Sequence, residues 1–175
     1  MIFITESQRF MAEEQSCLIQ DLLTVDEPSF ANRIAWEDFI NGYTSSHVKM
    51  HALQRCLQHY PAMTAGNFYV RQISENGTEF FYPNSNDSEP FGILALSYIL
   101  ADQEILCAVN LDTNNTANRY VTVDNNLHMH GSKLYCLLGS ADCPKELNIE
   151  ERNGKSVRLT IPANDLVCYR NVLNQ

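Results

Sequence analysis

After residue 67 the sequence consists of short apolar segments separated by residues that favour turns. Two of them, 93–100 and 104–111, are apolar on both faces, which is typical of central strands. Two Asn-Gly dipeptides, at 76–77 and 153–154, adopt the positive φ angles of a tight hairpin readily. No later connection holds a crossover helix, so a parallel sheet is disfavoured. This pattern predicts an antiparallel β-sandwich, of Greek-key or jelly-roll type, over residues 67–175.

The individual strands follow from the apolar runs and their flanking turn residues. We expect strands at 68–73, 78–82, 93–100, 104–111, 119–123, 147–151, 157–161 and 166–170. The segment 83–90 contains only turn-forming and acidic residues, which predicts a solvated loop.

The chain before residue 67 has a helical pattern, clearest at 46–59. Its apolar residues recur at three- and four-residue steps, so they line one face. Ser46 offers a hydroxyl to cap the first turn, and Pro61 disfavours helical geometry at the residue before it. Further helices are predicted at 7–24 and 31–41. The fold class is therefore α+β: a helical segment, 1–66, packed on the sandwich domain, 67–175.

Charge and composition narrow the classes of partner. The 175 residues contain 12 Lys and Arg against 21 Asp and Glu, which gives a formal net charge of −9. Such a surface repels phosphate backbones and anionic lipid, so we expect neither a nucleic acid nor a membrane as partner. No apolar run is long enough to span a bilayer, and the N-terminus lacks the pattern of a signal peptide. These features favour a cytoplasmic location.

Six cysteines leave two interpretations open. An even number is compatible with one or more disulfides. The domain is large enough to fold without cross-links, and several cysteines occupy positions typical of small core residues, which favours free buried thiols. No C-x-x-C pair is present, so a structural zinc site is not expected.

The order of four sequence motifs resembles one enzyme family. They are HYPAMTAGNF at 59–68, GILALSY at 92–98, ILCAVNL at 105–111, and VRLTIPA at 157–163 followed by Tyr169. They are similar to the passage that ends the barrel of α-amylase-type proteins, glycoside hydrolase family 13, and to strands of the family's all-β C-terminal domain. Residues 1–6 resemble its last barrel strand without the glycine, and residues 34–36 resemble a later element with Ala35 in place of Asp.

The resemblance implies a protein without the family's catalytic machinery. Glycoside cleavage of this type needs two carboxyl groups on opposite sides of the bond. In the family these lie on barrel strands before the one that residues 1–6 resemble, and their signatures occur nowhere in this sequence. We therefore expect no hydrolase activity, no catalytic residue and no cofactor. The expected function is a C-terminal module that binds α-glucan or stabilises a partner. The alternative is a truncated remnant with a structural or subunit-interaction role.

Candidate sugar-binding residues are the aromatic ones near amides and carboxylates. A pyranose packs its apolar face on an exposed flat ring, while polar groups take its hydroxyls. Trp36, Tyr43 and Tyr82 are the candidates, with packing between helix and sandwich as the alternative for Trp36.

Other polar pairs have weaker interpretations. His128 and His130 would share one face of a strand as a metal pair, or be exposed histidines at a strand end; without a third ligand we expect no metal. The pairs at 13–14 and 150–151 are expected to be surface charge.

The apolar N-terminal segment predicts self-association as a homo-oligomer, for example a dimer.

Overall fold

The structure is a computed structural model that describes residues 30–82 and 92–172, and of residues 30–37 the backbone alone. In this part, the helices are α1 (Phe30–Ser45), α2 (His47–His59) and α3 (Ala62–Ala65). The prediction of a helix at 31–41 is confirmed, and the helix is longer than predicted. The segment predicted as a helix at 7–24 lies outside the described residues, and so does the predicted loop at 83–90.

Helix α2 begins and ends where its sequence signals indicate. The Ser46 side chain accepts a hydrogen bond from the backbone nitrogen of Lys49, which satisfies a donor of the first turn. Tyr60 has extended backbone angles, and Pro61 follows it. Local sequence is therefore sufficient to fix both ends of this helix.

Six strands form one antiparallel sheet. In spatial order they are β1 (Asn67–Val70), β3 (Ile93–Leu100), β4 (Gln103–Asn110), β10 (Asp165–Asn171), β6 (Lys133–Leu138) and β7 (Glu146–Asn148). A second antiparallel sheet contains β2 (Ile73–Ser74), β5 (Ala117–Thr122), β9 (Lys155–Ile161) and β8 (Glu150–Glu151).

The six-stranded sheet is the middle of three layers. Alternate residues of a strand point to opposite faces, and β4 is buried on both. Ile105, Cys107 and Val109 pack in a cluster with the helices, whereas Leu106 and Ala108 pack in a cluster with the four-stranded sheet. The fold is thus α+β, with helices packed on an antiparallel β-sandwich, as the sequence predicted.

The predicted hairpin at 68–82 is wrong over most of its length. β1 pairs with β3 in one sheet, and β2 pairs with β5 in the other, so the chain changes sheets between Val70 and Ile73. The only pairing across the Asn-Gly turn among these residues is an isolated bridge between Ile73 and Phe81. Asn76 Oδ1 accepts bonds from the backbone nitrogens of Thr78 and Glu79, which builds a side-chain-capped turn in place of a hairpin.

The predicted strand at 147–151 also divides between the sheets. β7 belongs to the six-stranded sheet and β8 to the four-stranded sheet, with the buried Ile149 between them. The second Asn-Gly dipeptide does lie in a hairpin turn, between β8 and β9, and both of its residues have positive φ. β6 was not predicted at all.

Candidate functional site

A buried carboxylate lies at one end of the sandwich. Glu104, near the start of β4, is fully buried and points between the two sheets, on the same face as Leu106. Burial of an ionised carboxylate is costly unless charged or polar groups surround it. The groups that contact Glu104 therefore determine its charge state and the chemistry open to it.

Four donors surround the carboxylate of Glu104. Arg71 Nη2 lies 2.9 Å from Oε1, and the Ser97 hydroxyl donates to the same oxygen. His128 Nε2 lies 2.5 Å from Oε2, which also accepts from the backbone nitrogen of Asp124 at 3.0 Å. A carboxylate has about four lone-pair positions, so these donors use its whole capacity.

These contacts determine the charge state of Glu104. Burial by itself would raise the pKa of its carboxyl group. The hydrogen bond from His128, the charge of Arg71 and the hydrogen bond from Ser97 together outweigh burial and hold the pKa below its ordinary value. Glu104 is therefore an ionised, saturated carboxylate, which is a poor general acid or base.

The cluster joins five separate parts of the chain. Arg71 lies between β1 and β2, Ser97 lies on β3, and His128 follows β5. At the end of β10, Asn171 accepts from the backbone nitrogen of Glu104 at 2.9 Å and donates to the carbonyl of Asp102 at 2.8 Å. This arrangement closes the end of the sandwich core.

A depression lies beside His128. Its volume is about 460 Å³. The lining includes His128, Tyr135, Asn171 and the exposed Met129. Lys133 also lines it, but its ammonium is paired with Glu146.

The two histidines predicted as one pair have different environments. His128 is 3% exposed and lies against Glu104, whereas His130 is exposed, and neither lies in a strand. Both earlier interpretations, a metal pair and exposed strand-end histidines, are wrong for His128. Across 30–82 and 92–172, no three histidines, cysteines or acids are grouped to hold a metal ion.

The three predicted sugar-binding aromatics differ in exposure. Tyr43 is only 6% exposed and packs among the helices and the six-stranded sheet, so the expectation of an open ring there is wrong. Tyr82 is 55% exposed. The backbone of Trp36 is in α1, and its side chain lies outside the described residues.

Three other aromatic residues are also exposed, and sequence reasoning missed them. Phe68 and Tyr69 on β1 are 40% and 47% exposed, and Phe81 is 44% exposed. The Arg71 guanidinium lies 5.6 Å from the centre of the Tyr69 ring. Phe68 lies opposite Tyr98, which packs with the helices, whereas Tyr69 lies opposite Ser97, so the two rings point to opposite faces of the sheet. The sequence pattern at 68–73 predicted a strand without indicating which side chains are exposed, and β1 is an edge strand among the described strands.

Solved structures similar to this chain are amylase-type enzymes. The Nostoc punctiforme debranching enzyme is 21% identical, with a TM-score of 0.46, over 69% of this chain and 20% of that chain. An α-amylase from Geobacillus thermoleovorans, complexed with acarbose, is 12% identical, with a TM-score of 0.48, over 73% of this chain and 23% of that chain. A noncanonic maltogenic α-amylase from Thermotoga neapolitana is 11% identical, with a TM-score of 0.45, over 72% of this chain and 26% of that chain.

These are the class of enzyme that the sequence motifs resemble. The matched region spans about a fifth of the length of the debranching enzyme. No family model and no curated protein matches the chain. No helix within the described residues is long and apolar enough to cross a membrane.

Proposed function

We propose that this chain is a non-catalytic module that binds an α-glucan or a related oligosaccharide through its exposed tyrosines, Tyr69 and Tyr82. The observation that carries the proposal is the exposure of Tyr69 and Tyr82, at 47% and 55%. An exposed tyrosine offers a flat ring to the apolar face of a sugar and a hydroxyl to its polar edge. The sequence motifs that resemble an amylase C-terminal domain support the choice of ligand class.

The Glu104 cluster does not supply a catalytic carboxyl group. The carboxylate is 0% exposed, and its acceptor positions are used by Arg71, Ser97, His128 and a backbone nitrogen. A glycosidase of the usual type needs two carboxyl groups that reach the glycosidic bond. Glu104 has no route to a sugar and no free lone pair.

Calorimetric titration with maltoheptaose tests this proposal. The native chain is expected to bind, and Tyr82→Ala and Tyr69→Ala are each expected to weaken binding about fivefold, as loss of a stacked ring costs on the order of 1 kcal/mol. Tyr135→Ala is the control, because Tyr135 is a half-buried tyrosine on β6, which three strands separate from β1. Absence of any heat of binding at millimolar maltoheptaose would contradict the glucan proposal.

A subunit-interaction role is the second candidate, and β1 favours it. β1 has one neighbour, β3, so its other edge is unpaired by any described strand. Phe68 and Leu100, at 40% and 38% exposed, add apolar surface without hydroxyl groups. Light scattering distinguishes this candidate: a concentration-dependent mass that Phe68→Asp reduces would support it, and a constant monomer mass would contradict self-association.

A further inference from the structure

Two cysteines lie directly opposite each other in the middle of the six-stranded sheet. Cys107 on β4 is paired with Cys168 on β10, and their Sγ atoms are 2.9 Å apart. Directly opposite residues of an antiparallel pair have Cα atoms about 4.5 or 5.5 Å apart, within the range of about 4.4–6.8 Å that disulfides span. The backbone is therefore already placed for a bond between the two sulfur atoms.

The pair is enclosed between the sheet and the helices. Cys107 is 1% exposed and Cys168 is 0% exposed, and both belong to the cluster that includes Leu53 and Leu57 of α2. The hydrogen bond with Cys107 and burial both raise the pKa of the Cys168 thiol. A dissolved oxidant therefore reaches these thiols when the helices open away from the sheet, or before they dock during folding.

The other described cysteines lack this arrangement. Cys136 lies on β6, opposite Tyr169, and Cys143 lies in the loop after β6. Cys56 is on α2, and its sulfur lies 3.9 Å from the carbonyl oxygen of Leu137. Only Cys107 and Cys168, among the cysteines in the described part, are cross-strand partners.

We propose that Cys107 and Cys168 form an oxidation site, which a low-molecular-weight disulfide converts to a cross-strand bond between β4 and β10. The thiolate of one cysteine attacks the disulfide, forms a mixed disulfide and releases one small thiol. The thiolate of the other cysteine then attacks the protein sulfur of that mixed disulfide and releases the second small thiol. Two protein thiols are oxidised, one disulfide is reduced to two thiols, and the two protons pass to the departing thiolates.

Closure of the bond changes the unfolded chain more than the folded one. It joins residues 61 positions apart in sequence, so the unfolded oxidised chain has fewer conformations available. In the folded protein the bond joins strands that are already neighbours. Oxidation is therefore expected to raise the melting temperature and to leave the fold unchanged.

Intact mass and peptide mapping test the site on the full native chain. The reduced protein is incubated with cystamine, with and without a concentration of urea that loosens the helices. After removal of the urea, we expect a mass loss of two hydrogen atoms and a proteolytic peptide that links Cys107 to Cys168. Urea is expected to increase the rate, and excess dithiothreitol is expected to reverse both the link and the rise in melting temperature.

Matched variants identify the cysteines that react. Cys136→Ser and Cys143→Ser are expected to keep the link, and Cys107→Ala and Cys168→Ala are each expected to abolish it. A link that joins any other pair, including Cys17, would overturn the proposal, and so would accumulation of stable cystamine adducts without a link. Because mapping uses the native chain, poor folding of a core variant does not obscure the result.

Discussion

His128 Nε2 lies 2.5 Å from Glu104 Oε2, although the two residues are 24 positions apart in sequence. Their side chains are 2% and 0% exposed. The contact joins the loop after β5 to strand β4. The loop backbone is held as well, because Lys155 donates to the carbonyl oxygens of His128 and Asn125.

We expect Glu104→Gln to lower the free energy of unfolding by about 3–5 kcal/mol, since loss of one partner leaves the other charge of a buried pair unpaired. That charge belongs to Arg71, whose side chain is 13% exposed. Urea unfolding at neutral pH measures the loss. Lys133, paired with Glu146 at the surface, provides the control: Glu146→Gln is expected to cost less than about 1 kcal/mol. If both variants lost the same free energy of unfolding, burial of the Glu104 ion pair would not explain its contribution to stability.

The stability of the protein is expected to fall in acid through Glu104. The pKa of this carboxyl group is lowered from 4.5, so the folded state releases a proton that the unfolded chain still binds near that pH. Its contribution is therefore fully present above pH 4.5 and is lost as pH falls through the lower folded pKa. Urea midpoints measured in steps between about pH 7 and about pH 3 should fall more steeply for the native chain than for Glu104→Gln. If the urea midpoints of the two proteins fell equally with pH, Glu104 would not be the source of the acid sensitivity.

Two buried serines are expected to respond differently to substitution by alanine. The Ser156 hydroxyl has no hydrogen-bond partner among the described residues, whereas Ser74 accepts from the backbone nitrogen of Gly77 at 2.9 Å and donates to Asn76. A buried hydroxyl without a partner costs about 1–3 kcal/mol. Ser156→Ala should therefore stabilise the protein or leave it unchanged, and Ser74→Ala should destabilise it by about 1 kcal/mol. Thermal unfolding of both variants measures these changes in stability. A lower melting temperature for Ser156→Ala would indicate that the Ser156 hydroxyl forms a hydrogen bond.

Two glycines with positive φ provide a matched pair. Gly131 has a φ of 77°, with nothing within 4 Å of an added Cβ, and Gly154 has a φ of 83°, where a Cβ would lie 2.5 Å from Asn125 Oδ1. Gly131→Ala is expected to cost about 1–2 kcal/mol from backbone strain alone. Gly154→Ala should cost more, because Asn125 must move and lose its hydrogen bond from the backbone nitrogen of Lys155. Free energies of unfolding in urea compare the two, and a smaller loss at Gly154 would contradict the clash.

The sequence by itself determined the elements that depend on neighbouring residues. Helix α2 runs from the Ser46 cap to the extended Tyr60 before Pro61, and strand β3 covers the predicted residues. The Asn-Gly turn at 153–154 adopts positive φ at both residues. In each case the signal is a cap, a proline, a glycine or an unbroken apolar run, and these act within a few residues of the chain.

Tertiary structure decided which strands became neighbours and which polar groups were buried. The chain changes sheets between Val70 and Ile73 because the partners of β1 and β2 lie more than twenty residues away, on β3 and β5. Tyr43 is buried because it packs between the helices and the six-stranded sheet, and the buried His128 is hydrogen-bonded through Nε2 to the Glu104 carboxylate. No local pattern encodes such contacts, since a buried charge is stable only when distant donors converge on it.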